Sequence, residues 1–122
     1  GILEIDTILS VLKESYNGIY RVSLDTDRGR RILMPAYLKY NETEEHFSKL
    51  FAKYVSETVQ ADYNRALLTF RNYDALKQQL AEGKTPRITY KKINGETVTL
   101  SVYSLDSSNE SVSETLWIFA KK

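Results

Sequence analysis

A single histidine, His46, and a complete absence of cysteine limit the chemistry open to this 122-residue chain. Without thiols there is no disulfide, no thiolate metal site, no cysteine nucleophile and no cysteine-linked chromophore. One imidazole rules against a multi-histidine metal site and argues against a Ser-His-Asp triad. His46 stands at the polar start of a helical pattern, off the apolar stripe that begins at Phe47; there a surface imidazole is the ordinary outcome and a haem ligand the exception. The carboxylate pairs Glu44-Glu45 and Asp25-Asp27 fall in a helix start and a turn. Both settings suit caps and solvent better than acid–base catalysis, which needs a sheltered cleft and a shifted pKa. Arg28, Arg30 and Arg31 form a basic cluster on a turn, a solvated hairpin tip by default and otherwise a dock for an acidic surface. No phosphate-cradling glycine loop and no metal-ligand spacing occurs, and no cofactor is called for.

Tyrosine is the unusual residue, with nine in the chain. Tyr20, Tyr54, Tyr63 and Tyr90 fall on inward faces of the expected elements, and buried hydroxyls need partners. With Phe51 and Leu100 they would form a semi-polar lining for a small ligand between sheet and helices. The plainer alternative is that the same side chains fill a core. Met34 and Tyr37, after the second expected strand, either border the mouth of that space or pack in the core.

The elements that must position these residues follow from periodicity. Ile5, Ile8, Leu9, Leu12 and Tyr16 predict an amphipathic helix over residues 3 to about 15, ended by Asn17-Gly18. Tyr20, Val22 and Leu24 alternate with Arg21 and Ser23, the pattern of a strand with one buried face. A turn at 25–29 leads to a second strand over 30–34. Phe47, Leu50, Phe51, Tyr54, Val55 and Thr58 then make a wide helical stripe, with Asn41 and Glu44 placed as a capping box. Asp62 is expected to cap a shorter helix burying Tyr63, Leu67 and Phe70. A third helix runs from Asn72 to Glu82, stopped by Gly83. From Thr85 the period returns to two, with Asn94-Gly95 between strands. A three-residue loop, Ile93-Asn94-Gly95, pairs Tyr90 with Val98 and Ile88 with Leu100; a two-residue loop would throw the apolar sets onto opposite faces. A polar loop at 106–113 precedes a last strand, Glu114 to Lys121.

This order resembles that of a PAS domain, over roughly residues 14 to 121. The run Glu14-Ser15-Tyr16-Asn17-Gly18-Ile19-Tyr20-Arg21-Val22-Ser23-Leu24-Asp25 is similar to the first strand, and its approach, of PAS-like sensors that precede diguanylate cyclase, phosphodiesterase or kinase modules in bacteria. Tyr54 to Leu67 resembles the segment in which Val-His-Pro precedes Asp-Arg, with Gln60 and Ala61 standing where His and Pro are usual. Thr85 to Lys122 resembles the last three strands. The resemblance implies an α+β fold: a five-stranded antiparallel sheet with helices on one face, plus the N-terminal amphipathic helix. It divides the chain into residues 1–14, a helix or linker, and 15–122, a PAS-like sensor domain.

The function so implied is a non-catalytic sensory and dimerising input module that regulates an attached output domain. Its ligand, unidentified, would touch Tyr20, Phe51, Tyr54, Tyr63, Tyr90 and Leu100. Gly1 in place of an initiator Met, and a finish on a strand pattern, suggest a domain cut from a longer protein. In the last strand both alternating sets are apolar, so both faces need cover. Trp117 and Phe119 are taken as the outer set, shielded in a homodimer by the helix carrying Ile5, Ile8, Leu9 and Leu12. The 17 basic against 16 acidic residues leave a net charge of +1, no case for a nucleic-acid binder. The apolar runs are far short of the roughly 20 residues that span a bilayer, so a cytoplasmic setting without membrane insertion is expected. The alternatives are a small α+β enzyme or ligand carrier with a cone-shaped pocket, which needs an inward acid or His-Asp pair, and an assembly module with a filled core.

Overall fold

The computed structural model describes residues 16–32, 46–106 and 112–122, the side chains of Tyr16 and Asn17 excepted. Strands β1 (Tyr16–Ser23) and β2 (Arg28–Arg31) are followed by helices α1 (Phe47–Thr58), α2 (Asn64–Phe70) and α3 (Tyr73–Ala81), then by β3 (Arg87–Lys91), β4 (Thr97–Ser104) and β5 (Glu114–Lys121). The strands form one antiparallel sheet in the order β2-β1-β5-β4-β3, so the first and last strands meet at its centre. The helices lie on one face. The predicted N-terminal helix, with Ile5, Ile8, Leu9 and Leu12, and the capping residues Asn41 and Glu44 lie outside the described residues, as do Met34 and Tyr37.

The predicted stripe of α1 turns Phe47, Phe51 and Val55 into the core. At its C-terminal end the chain becomes extended at Val59 and pairs with the free edge of β3: Ile93 N–H donates to Thr58 O at 2.8 Å and Gln60 N–H to Lys91 O at 3.0 Å. This covers part of an edge that would otherwise present unpaired backbone groups. The β3–β4 hairpin has the three-residue register, with Tyr90 opposite Val98 and Ile88 opposite Leu100. Lys92 N–H donates to Glu96 O, Gly95 N–H to Lys92 O, and Gly95 takes φ 88°. That is a turn closed by a left-handed residue, which only glycine enters without Cβ strain.

Three expectations are corrected. Gly18 does not end a helix; it lies within β1, at a register shift against β5. Asp62 does not cap α2: it belongs to a 3-10 turn, Ala61–Tyr63, that leads into the helix. Most consequentially, Trp117 and Phe119 are not on the outer face. Trp117 stands opposite Val102 and Phe119 opposite Leu100, so they share the buried face of β4. Trp117 is fully buried against Phe47 (4.9 Å between ring centroids), Phe51 (5.7 Å) and Phe70 (6.3 Å), all on helices. Two apolar sets alternating on one strand cannot say which faces inward; pairing with β1 and β4 decides it. The outer set is Leu116, Ile118 and Ala120. The indole N–H of Trp117 donates to Thr115 Oγ1 at 2.9 Å, and that hydroxyl donates to Val22 O at 2.8 Å, so the largest core side chain leaves no polar atom orphaned.

Candidate functional site

The residues expected to line a ligand space are brought together between α1 and the inner face of the sheet. Tyr54, from α1, is hydrogen-bonded hydroxyl to hydroxyl with Tyr90 of β3, and their rings meet edge-on at 6.3 Å. Tyr54 also lies edge-on to Phe119 at 5.8 Å and beside Phe51 at 6.3 Å. Tyr20, on β1, fits between Phe47 (6.0 Å) and Phe119 (5.7 Å), with the Arg31 guanidinium 5.9 Å from its ring centre. Leu100 is fully buried between Ile88 and Phe119. Tyr63, in the 3-10 turn, is partly buried and packs at the margin of the same core.

Burial dominates the electrostatics here. It pushes the Tyr90 hydroxyl far above the usual phenol range, helped by the Tyr54 hydroxyl and by the negative charge of Glu96. Burial also raises Tyr54, against a smaller opposing effect of its hydrogen bond with Tyr90. Both hydroxyls therefore stay neutral at any ordinary pH. A neutral pair of donor–acceptor hydroxyls can orient an uncharged polar group but cannot act as a base. Glu96 stands near them and is paired with Lys92 at 4.0 Å.

A second cluster, which periodicity does not reveal, joins the β1–β2 turn to two helices. His46 precedes α1 but makes no capping hydrogen bond with its side chain. The cap comes instead from a residue nineteen positions earlier. Asp27 Oδ1 accepts from Ser48 N–H at 2.9 Å and Asp27 O from Phe47 N–H at 2.7 Å, so this turn residue satisfies two of the helix's free amides. The Ser48 hydroxyl donates to Asp27 Oδ2 and the Tyr73 hydroxyl, at the start of α3, donates to Oδ1. His46 Nδ1 lies 3.7 Å from Oδ2. To reach this position Asp27 adopts φ 56°, the left-handed region that Asp and Asn tolerate best among residues with a Cβ.

Partial burial of Asp27 raises its carboxyl, but the hydroxyls of Ser48 and Tyr73, the Ser48 amide and the charge of His46 together outweigh that and hold it below the ordinary carboxylate value. The same contact acts in reverse on Tyr73, which burial and the Asp27 bond push well above the phenol range. Asp27 beside His46 is the acid–imidazole juxtaposition an enzyme would need. Its geometry is that of a clamp, since the carboxylate is already occupied by Ser48 and Tyr73 and is a weakened base. The His46 side chain is half exposed, at 52%, as its position ahead of the apolar stripe predicts.

No family model, curated protein or solved structure matches this chain. Among the described residues, no group of three or more His, Asp or Glu side chains is placed to hold a metal ion, and no helix is long and apolar enough to cross a membrane.

Proposed function

We propose that the chain is a PAS-like, non-catalytic input module that works as a cytoplasmic homodimer, senses through the face between α1 and the sheet, and regulates an attached output domain. The observation that carries this is the strand order β2-β1-β5-β4-β3, with every described helix inserted between β2 and β3 and packed on one face. The order puts Tyr16, at the start of β1, opposite Ala120, near the end of β5. What enters the domain and what leaves it thus run side by side. A change in the packing of α1 on β1 and β5, through Tyr20, Tyr54 and Phe119, reaches both. Such a change requires a ligand or partner with different affinity for the two packings; equal affinity shifts nothing.

Native mass spectrometry of the purified chain tests the reading, with Tyr54→Leu as comparison. A dimer of the 14.1 kDa protein, carrying an added mass that Tyr54→Leu loses while remaining folded, is the expected result. A monomer with no added mass, and no thermal shift against a small-molecule panel, would reject it.

A filled-core assembly module is the second reading, favoured by one observation. Phe51, Tyr90 and Leu100 are at most 2% exposed, so these members of the cluster already have protein around them on all sides. It predicts the dimer without the added mass.

A further inference from the structure

Along β3 the sheet ends in an edge that the chain covers only in part. Lys92 N–H donates to Glu96 O at 2.9 Å and Val102 N–H to Pro86 O at 3.0 Å. In an antiparallel ladder alternate residues turn their backbone groups to the same side. Ile88 and Tyr90 therefore face β4, while Arg87, Thr89 and Lys91 turn their N–H and C=O groups outward. At Lys91 the outward carbonyl is taken by Gln60 N–H, where the chain leaves α1. Beyond that point Arg87 and Thr89 are exposed, and their outward backbone groups have no partner among the described residues.

The side chains along this edge carry one sign of charge. Arg87 and Lys91 project on the outer face with Thr89 between them, and every other outer side chain of β3 and β4 (Thr97, Thr99, Ser101 and Tyr103) ends in or carries a hydroxyl. The Arg87 guanidinium rests on Ser101 Oγ at 3.2 Å and on the Tyr103 hydroxyl at 3.3 Å. Neither Arg87 nor Lys91 meets a carboxylate among the described residues. On the inner side Ile88, partly buried, packs against the core.

We propose that this edge takes a short extended segment of an acidic partner protein as a sixth strand. Main-chain hydrogen bonds to Arg87 and Thr89 hold it, its acidic side chains lie over Arg87 and between Thr89 and Lys91, and an apolar one lies beside Ile88. The proposal is independent of any ligand at the tyrosine cluster. Cations on an edge deter pairing with most strands; an acidic strand turns the same charges into attraction. A second copy of the chain fits badly. Two β3 edges paired about Thr89 would set Arg87 of each opposite Lys91 of the other, and like charges directly opposite are destabilising.

The test uses a labelled peptide, Gly-Ser-Glu-Val-Glu-Ser-Gly, with Gly-Ser-Lys-Val-Lys-Ser-Gly as its control. In fluorescence anisotropy the acidic peptide should bind saturably, about tenfold tighter than the basic one. N-methylation of both Glu residues, which removes the donors facing the edge, should abolish binding, whereas N-methylation of Val should not. The double variant Arg87→Glu, Lys91→Glu should prefer the basic peptide. Thr89→Pro removes an outward donor and no ladder bond to β4, and should weaken binding about fivefold; Trp117 fluorescence reports whether it is folded. In the unsubstituted protein, amide exchange followed by NMR should show Thr89 N–H protected about tenfold when the acidic peptide is bound. No saturable binding up to about 1 mM peptide, equal binding of the two peptides, or indifference to Glu methylation would overturn the proposal. Protection of Thr89 N–H that rises with protein concentration alone would give the edge to a second copy and overturn it as well.

Discussion

Substituting Asp27 should show how strongly the hairpin turn is fastened to the helices. Its carboxylate caps α1 through Ser48 N–H, accepts the Ser48 and Tyr73 hydroxyls, and does so from a left-handed backbone. Loss of an N-cap costs about 0.5–2 kcal/mol, and hydrogen bonds to a charged group contribute about 1.5–3 kcal/mol each, not additively. Asp27→Asn keeps an oxygen at the Oδ1 position for the Ser48 amide and Tyr73, and tolerates the positive φ; about 1 kcal/mol is expected from the lost charge at the helix N-terminus. Asp27→Gly relieves the backbone but removes every side-chain bond, for about 2–3 kcal/mol. Asp27→Ala removes the bonds and adds the left-handed penalty of about 1 kcal/mol, making it the worst of the three, at about 3–4 kcal/mol. Urea unfolding followed by Trp117 fluorescence reads the series, since this tryptophan is completely buried. The ranking also predicts an acid limb. A carboxyl whose folded pKa is depressed contributes stability that is present above its ordinary pKa, near 3.8, and is lost as pH falls through the lower folded value. Asp27→Asn should flatten that limb. An Ala variant within about 0.5 kcal/mol of wild type, the range of an uninvolved surface substitution, would refute the clamp.

Thr115→Val keeps the shape but strips the hydroxyl that links the Trp117 indole to Val22 O; a loss of about 1–3 kcal/mol with a shifted tryptophan emission is expected, measured by urea titration. Tyr54→Phe and Tyr90→Phe should each cost about 1 kcal/mol, and the double variant less than their sum, because each single change leaves the other hydroxyl unpaired. Phenol absorbance should show these two, with Tyr73, un-ionised in the folded protein as pH rises through 10. The unfolded chain does ionise there, so stability present below the ordinary phenol pKa is lost at higher pH. Gly29→Ala should cost more than Gly95→Ala: the new Cβ at 29 would lie 2.5 Å from a Phe47 ring carbon, whereas at 95 it meets nothing and only the positive φ is penalised, by about 1–2 kcal/mol. Comparable melting temperatures for the two glycine variants would contradict that packing.

The local pattern by itself determined the elements whose period is strong. The stripe from Phe47 to Thr58 is helix α1, the pattern from Asn72 to Glu82 contains helix α3, and Glu114–Lys121 is β5. The β3–β4 register was also legible. A one-residue slip would have split the apolar sets, and Gly95 marked the left-handed position. Tyr20, Phe51, Tyr54, Tyr90 and Leu100 could be named for the inner face because each belongs to an apolar set that repeats at strand or helical spacing.

Tertiary structure alone decided the rest, because those outcomes depend on partners distant in the chain. Trp117 and Phe119 point inward only because β5 pairs with β1 on one side and β4 on the other, and an all-apolar strand carries no alternation to announce its own faces. Gly18, next to Asn17, has the local chemistry of a helix stop, yet it is drawn into β1 by pairing with Phe119. The cap on α1 is Asp27, in a turn whose composition already explains its acids, and nothing local in Asp25-Thr26-Asp27 indicates that the last of them reaches Ser48 and Tyr73. Periodicity reports the environment of one element. Which acid completes another element's free amides is settled only when the chain folds back on itself.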